Sequence, residues 1–139
     1  MGSYLNSLVP CKAYRKEYGS PYFVDKSAML EDLEERIFTS TNYICITRPR
    51  RFGKTVAANM IAAYFSRAED ASDLFDNLKI AENNQYRKYC GQYDVITISF
   101  NELPKRCGCY EQYIERIESR LLQDLIKAYP KAEISMDGI

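Results

Sequence analysis

The sequence has no histidine, no Cys-x-x-Cys pair and no net charge. Without histidine, mixed Cys/His zinc sites are excluded, and so are Ser-His and Cys-His nucleophile pairs. The five cysteines stand at Cys11, Cys45, Cys90, Cys107 and Cys109. The spacing of Cys107-Gly108-Cys109 fits no standard metal site, which favours reduced thiols over a soft-metal or redox pair. Nineteen basic and nineteen acidic side chains cancel, so no long-range field draws the chain onto nucleic acid or anionic lipid. No apolar run approaches the ~20 residues that a bilayer span needs. The N-terminus also lacks a basic region followed by an apolar stretch. Together these absences predict a soluble, cytoplasmic protein with no membrane partner.

What is present suits a folded domain. The chain has 139 residues, 46% of them hydrophobic, enough to bury a core. Residues 1–21 mix Gly, Pro, Ser and charge without a period and are expected to be irregular, with the domain proper over 22–139. A short β-prone run lies at 22–24. Asp25 can cap a helix over 26–38, with Met29, Leu30, Leu33 and Ile37 on its inner face. Glu31, Asp32, Glu34 and Glu35 would then form a solvated acidic face.

Residues 43–47 are apolar and β-branched, as in a strand buried on both faces of a parallel sheet. A helix follows over 54–65, where Val56, Met60, Ile61, Tyr64 and Phe65 recur at helical spacing among four alanines. Residues 74–80 form a small apolar cluster in a connecting segment, and 94–100 read as the second strong strand. After a loop over 101–108, a long amphipathic helix runs from Tyr110 through Tyr113, Ile117 and Leu121, ending before Pro130. This order predicts the α/β class, with a βαβα core of parallel strands and right-handed crossovers, preceded by a short strand and a helix. Two strands leave sheet edges and faces uncovered. Self-association is therefore expected, or a sheet completed by residues such as 22–24.

The chemistry centres on "ITRPRRFGKT", which ends in Gly53-Lys54-Thr55 between the expected strand and helix. That is the layout of a phosphate-binding loop, GxxxxGK[ST], except that Arg48 and then Pro49 stand at the first glycine. Such a loop works by curling backbone N–H groups around a phosphate at a helix N-terminus. The donors here would be the amides of about residues 51–55, with Lys54 supplying charge and the Thr55 hydroxyl ligating magnesium. Gly53 marks the place where a side chain would collide with phosphate. Pro49 lies ahead of the donor run, so its missing N–H costs little. Arg48 forfeits the conformational freedom of glycine, while Arg50 and Arg51 can add guanidinium donors that glycines cannot. The alternative is a basic turn that ends in GKT by chance.

Four stretches, "YFVDKSAMLEDL", "ITRPRRFGKTVAANMIAAYF", "LFDNLKIAENNQY" and "YDVITISF", together with the opening "MGSYLN", resemble the predicted AAA-ATPase-like family of bacterial proteins. The resemblance runs from residue 1 to about 100 and is carried chiefly by RPRRFGKT. It implies a P-loop NTPase fold, ATP with magnesium as ligand, and a site made of Arg48, Arg50, Arg51, Phe52, Gly53, Lys54 and Thr55. On this resemblance Arg48 is the family's own residue at its position. The resemblance also gives weight to Asp25-Lys26, which composition alone explains as a helix cap beside an exposed lysine. Many members carry a nuclease-like PD-(D/E)XK domain further along, which would be the route to any nucleic-acid partner.

The family's acidic Walker B strand has no counterpart here. Residues 134–139 are the late candidate, but Gly138 stands where the Glu should be, and they read as an ordinary tail. The fold is thus expected to be a partial P-loop domain, truncated before Walker B, whose hydrolytic residues lie beyond this chain. Three functions remain open: an ATP-binding part of an ATPase, a nucleotide-gated interaction module without turnover, and phosphate-backbone binding of nucleic acid through the Arg48, Arg50, Arg51 and Lys54 patch.

Overall fold

The computed structural model describes residues 2–51, 53–100 and 107–134. Its contacts divide the chain into two compact units, Leu8–Asp94 and a second made of Met1–Ser7 with Val95–Ile139.

The Leu8–Asp94 unit is helical. Helix α1 covers Val9–Tyr18, within the segment expected to be irregular. Pro10 sits in its first turn, where a missing N–H costs nothing, and Arg15 and Lys16 in its last turn complement the helix dipole. The helix buries Pro10, Cys11 and Tyr14. That narrow apolar stripe, set among charges, hides its period from sequence inspection. Helix α2 covers Met29–Arg36, shorter at both ends than expected. Its Glu34 is buried, not solvated as its acidic neighbours suggested. The carboxylate accepts hydrogen bonds from the Tyr64 hydroxyl and from Asn83 Nδ2, which make burial tolerable.

Helix α3, Lys54–Phe65, has the expected bounds and buries Met60, Ala62, Ala63, Tyr64 and Phe65. Helix α4 (Ser72–Phe75) and a 3-10 turn (Lys79–Glu82) follow, then helix α5 (Tyr86–Tyr89). The core is aromatic. Tyr14 stacks on Phe75 with ring centroids 5.4 Å apart, and Tyr64 meets Phe75 edge-on at 5.2 Å. Such pairs contribute about 0.5–1.5 kcal/mol each beyond their area burial. Leu30, Met60 and Ile80 are also buried in this unit.

In the second unit, helix α6 (Tyr110–Ala128) buries Tyr113, Ile117 and Leu121, four residues apart, as its period predicts. Asp124 of α6 accepts the N–H groups of Tyr4 at 2.8 Å and Leu5 at 3.2 Å, tying down the N-terminal segment. Burial raises the Asp124 carboxyl, but the N–H donors of Tyr4, Ser3 and Leu5 and the N-terminal charge outweigh it and hold it below the usual carboxylate range. Leu5 and Ile96 form an isolated antiparallel bridge.

The expected α/β sheet is corrected by this structure. Among the described residues there is no β-strand, only two isolated bridges, Leu5–Ile96 and the parallel Ser66–Tyr93. Residues 43–47 and 94–100 were to pair as parallel strands. Instead the first run lies in the Leu8–Asp94 unit and all but Asp94 of the second lies in the other. A strand buried on both faces needs ladder partners and covering layers, and 43–47 have neither. Tyr43 is 96% exposed, and Ile44 and Ile46 are also exposed. Residues 22–24 complete no sheet either, since they form no strand and Tyr22 is 88% exposed. The argument for self-association from open sheet edges therefore loses its premise. The tail over 135–139 and the loop over 101–106 lie outside the described residues.

Candidate functional site

The loop that ends in GKT leads into α3 through two left-handed residues, Arg51 at φ +66° and Gly53 at φ +76°. Glycine adopts this conformation without penalty, whereas an arginine there carries a cost of about 1–2 kcal/mol. Non-glycine residues held so are concentrated at ligand clamps and other functional turns. Gly53 is the N-cap of α3, and its carbonyl accepts the Ala57 N–H at 2.9 Å. No side chain caps this helix, and no acidic residue occupies its first turn. Its first amides therefore present the positive end of the helix dipole to whatever occupies the loop. Lys54 and Thr55 stand exposed on that first turn.

Two adjoining cavities flank the loop. One, of about 280 Å³, is lined by Lys26, Arg48, Gly53 and Lys54 over an apolar floor that includes Met29 and Ile46. The other, of about 430 Å³, shares Lys26, Arg48 and Gly53 and adds Arg51, Tyr22 and Glu17. The structure thus brings Arg48, Gly53 and Lys54 together, with Arg51 on the neighbouring wall. Arg50 and Thr55 are exposed and line neither cavity. Phe52 lies outside the described residues.

Lys26 was left open by sequence reasoning, and the structure brings it to the loop. A Cβ added to Gly53 would lie 2.5 Å from Lys26 Nζ. The neighbours of Lys26 explain how it is held. Asp25 does not cap a helix as expected. It accepts the Ser27 N–H on Oδ1 at 2.8 Å and the Lys79 N–H on Oδ2 at 2.9 Å. Ser27, fully buried, accepts the Ile80 N–H on Oγ at 3.1 Å. Burial raises the Asp25 carboxyl, but hydrogen bonds from Ser27 and Lys79 and the Lys79 charge outweigh it, leaving the group below its ordinary value. The sequence signal was the run Asp25-Lys26-Ser27, which has no meaning until the 3-10 turn is placed against it.

Chemically, the arrangement offers N–H donors and cations and almost no acceptors. Such a donor set suits an anion with several oxygens. Among the described residues no group of three or more Cys, Asp or Glu is placed to hold a metal ion, and no helix is long and apolar enough to cross a membrane. A family model described as "Predicted AAA-ATPase" matches residues 14–137. No curated protein and no solved structure gives a match.

Proposed function

We propose that this chain, which belongs to the predicted AAA-ATPase family, binds the polyphosphate of ATP at the loop over 48–55. The observation that carries this reading is the uncapped, acid-free N-terminus of α3 behind Gly53, faced by Lys26, Arg48 and Lys54 in one cavity. Backbone amides and three cations, two from the loop and Lys26 from a distant segment, supply directional donors and charge for phosphate oxygens. The anion-binding geometry belongs to the loop and helix terminus, so it does not depend on a paired strand before it.

Magnesium would enter with the phosphates, since the N–H donors and cations of the site offer it no ligands. It keeps most of its waters and binds through one or two protein oxygens together with substrate phosphates. The Thr55 hydroxyl, exposed on the first turn of α3 but lining neither cavity, would be its protein ligand. When bound, magnesium would neutralise phosphate charge. Lys54 orients the phosphate chain, Arg48 and Arg51 contribute charge from the loop walls, and Gly53 leaves the space that a side chain would fill.

The test is a titration of the whole chain with magnesium and ATP, repeated on Lys54→Ala. Loss of binding by roughly 10- to 100-fold is expected, since removal of a charge-assisted contact costs about 1.5–3 kcal/mol and leaves phosphate oxygens unpaired. Unchanged affinity in Lys54→Ala would overturn the reading. Phosphate release by the full-length protein separates an ATPase from a nucleotide-gated switch. DNA binding that ATP does not displace would favour the nucleic-acid alternative.

A further inference from the structure

Three positive side chains gather at one helix N-terminus. Cations at a helix N-terminus oppose the dipole by about 0.3–1 kcal/mol each, yet Lys26, Arg48 and Lys54 line one cavity at the N-terminus of α3. No acid stands in the first turn of that helix. Glu17, lining the adjoining cavity, is the acidic residue nearest to hand among the described lining residues. Lys26 does not arrive there by flexibility alone. The residues on either side of it are pinned to the backbone of the 3-10 turn, through Asp25 to Lys79 and through Ser27 to Ile80. Two hydrogen bonds, one exposed and one buried, thus fix the chain on either side of Lys26 beside this helix end. Its ammonium also occupies the space that a Gly53 side chain would take.

An anion bound at the loop is attracted by the dipole and by all three cations. We infer that Lys26 is a second phosphate-contacting lysine of this site, and that Asp25 and Ser27 are its positioning residues. The inference rests on the nucleotide reading above and assigns Lys26 to the phosphate chain, not to the base or ribose. Its chemistry is that of a point charge with three donors, suited to oxygens presented from varying directions.

The experiment compares magnesium with ATP, ADP, AMP and inorganic triphosphate as ligands of the wild-type chain, Lys26→Gln, Lys26→Arg and Lys54→Ala. Lys26→Gln should weaken ATP and inorganic triphosphate by roughly 10- to 100-fold and leave AMP nearly unchanged, and Lys26→Arg should recover most of the loss. Asp25→Asn keeps the acceptor for Ser27 but loses one for Lys79, and should weaken ATP several-fold without affecting AMP. ATP affinity unchanged in Lys26→Gln but weakened in Lys54→Ala overturns the role of Lys26 and leaves the nucleotide site standing. Equal losses for ATP and AMP, not recovered by arginine, assign Lys26 to loop folding and also overturn it. A wild-type chain that binds no ATP overturns both readings. Amine-reactive labelling of the wild-type chain needs no variant to fold. Labelling of Lys26 should fall when magnesium and ATP are added, and unchanged labelling in a chain that binds ATP overturns the inference.

Discussion

Residues 43–47 and 74–80 are both short apolar runs of the Leu8–Asp94 unit, and they meet opposite fates. By sequence the first was the buried strand and the second a cluster in a connection. In the structure Tyr43 is 96% exposed, while Phe75 and Ile80 are 0% exposed. The difference lies in how each run satisfies its backbone. Residues 74–80 close local hydrogen bonds, such as Leu78 N–H to the Phe75 carbonyl at 2.9 Å and Ala81 N–H to the Leu78 carbonyl at 3.0 Å. Their side chains can then enter the aromatic core without stranding polar groups. An extended run can do so only by finding a distant ladder partner. Hydrophobicity states that a run gains from cover; it does not state where the cover comes from.

The largest expected effect tests the buried side of this contrast. Phe75→Ala removes the ring on which Tyr14 stacks and against which Tyr64 packs. It should cost about 3–5 kcal/mol in urea denaturation. A loss below ~1 kcal/mol would show that this cluster is not the core.

An intermediate effect concerns the buried carboxylate of the same core. Burial raises the Glu34 carboxyl, the Tyr64 hydrogen bond partly lowers it, and the Glu31 charge raises it, so the folded value lies above the ordinary one. The folded state then holds its proton more tightly than the unfolded state does. This contribution to stability is complete below the unfolded value and is lost as pH rises through the folded value. Wild type should therefore lose stability relative to Glu34→Gln as pH rises above about 4, measured by denaturation at each pH. Parallel profiles for the two proteins would refute the shift.

The smallest effect tests the exposed side. Tyr43→Ser should change stability by no more than about 0.5 kcal/mol, as for other surface positions without partners. A cost approaching that of Phe75→Ala would mean that 43–47 are packed in solution, and the contrast would collapse.

The legible parts of this protein are those with local causes. The bounds of α3 followed from a glycine before it and a helical period within it, and the buried face of α6 followed from Tyr113, Ile117 and Leu121 at intervals of four. The loop residues Arg48, Gly53 and Lys54 were named from spacing, and they do line one cavity. Other features were not legible. Helix α1 hides its narrow stripe among charges, and Glu34 sits among acidic neighbours that are solvated by pattern. Lys26 lies far from Gly53 in sequence, so nothing local couples the two.

The sequence by itself determined the absence of histidine chemistry, the neutral charge balance, the loop ending in GKT and the helix that follows it. These depend on composition or on neighbours within a few residues. Tertiary structure alone decided that the two β-prone runs do not pair with each other in a sheet, that 74–80 become core, and that Lys26 stands beside Gly53. Each of those outcomes turns on contacts between segments distant in the chain. Such contacts carry a loop-closure cost and a choice of partner that no local pattern encodes.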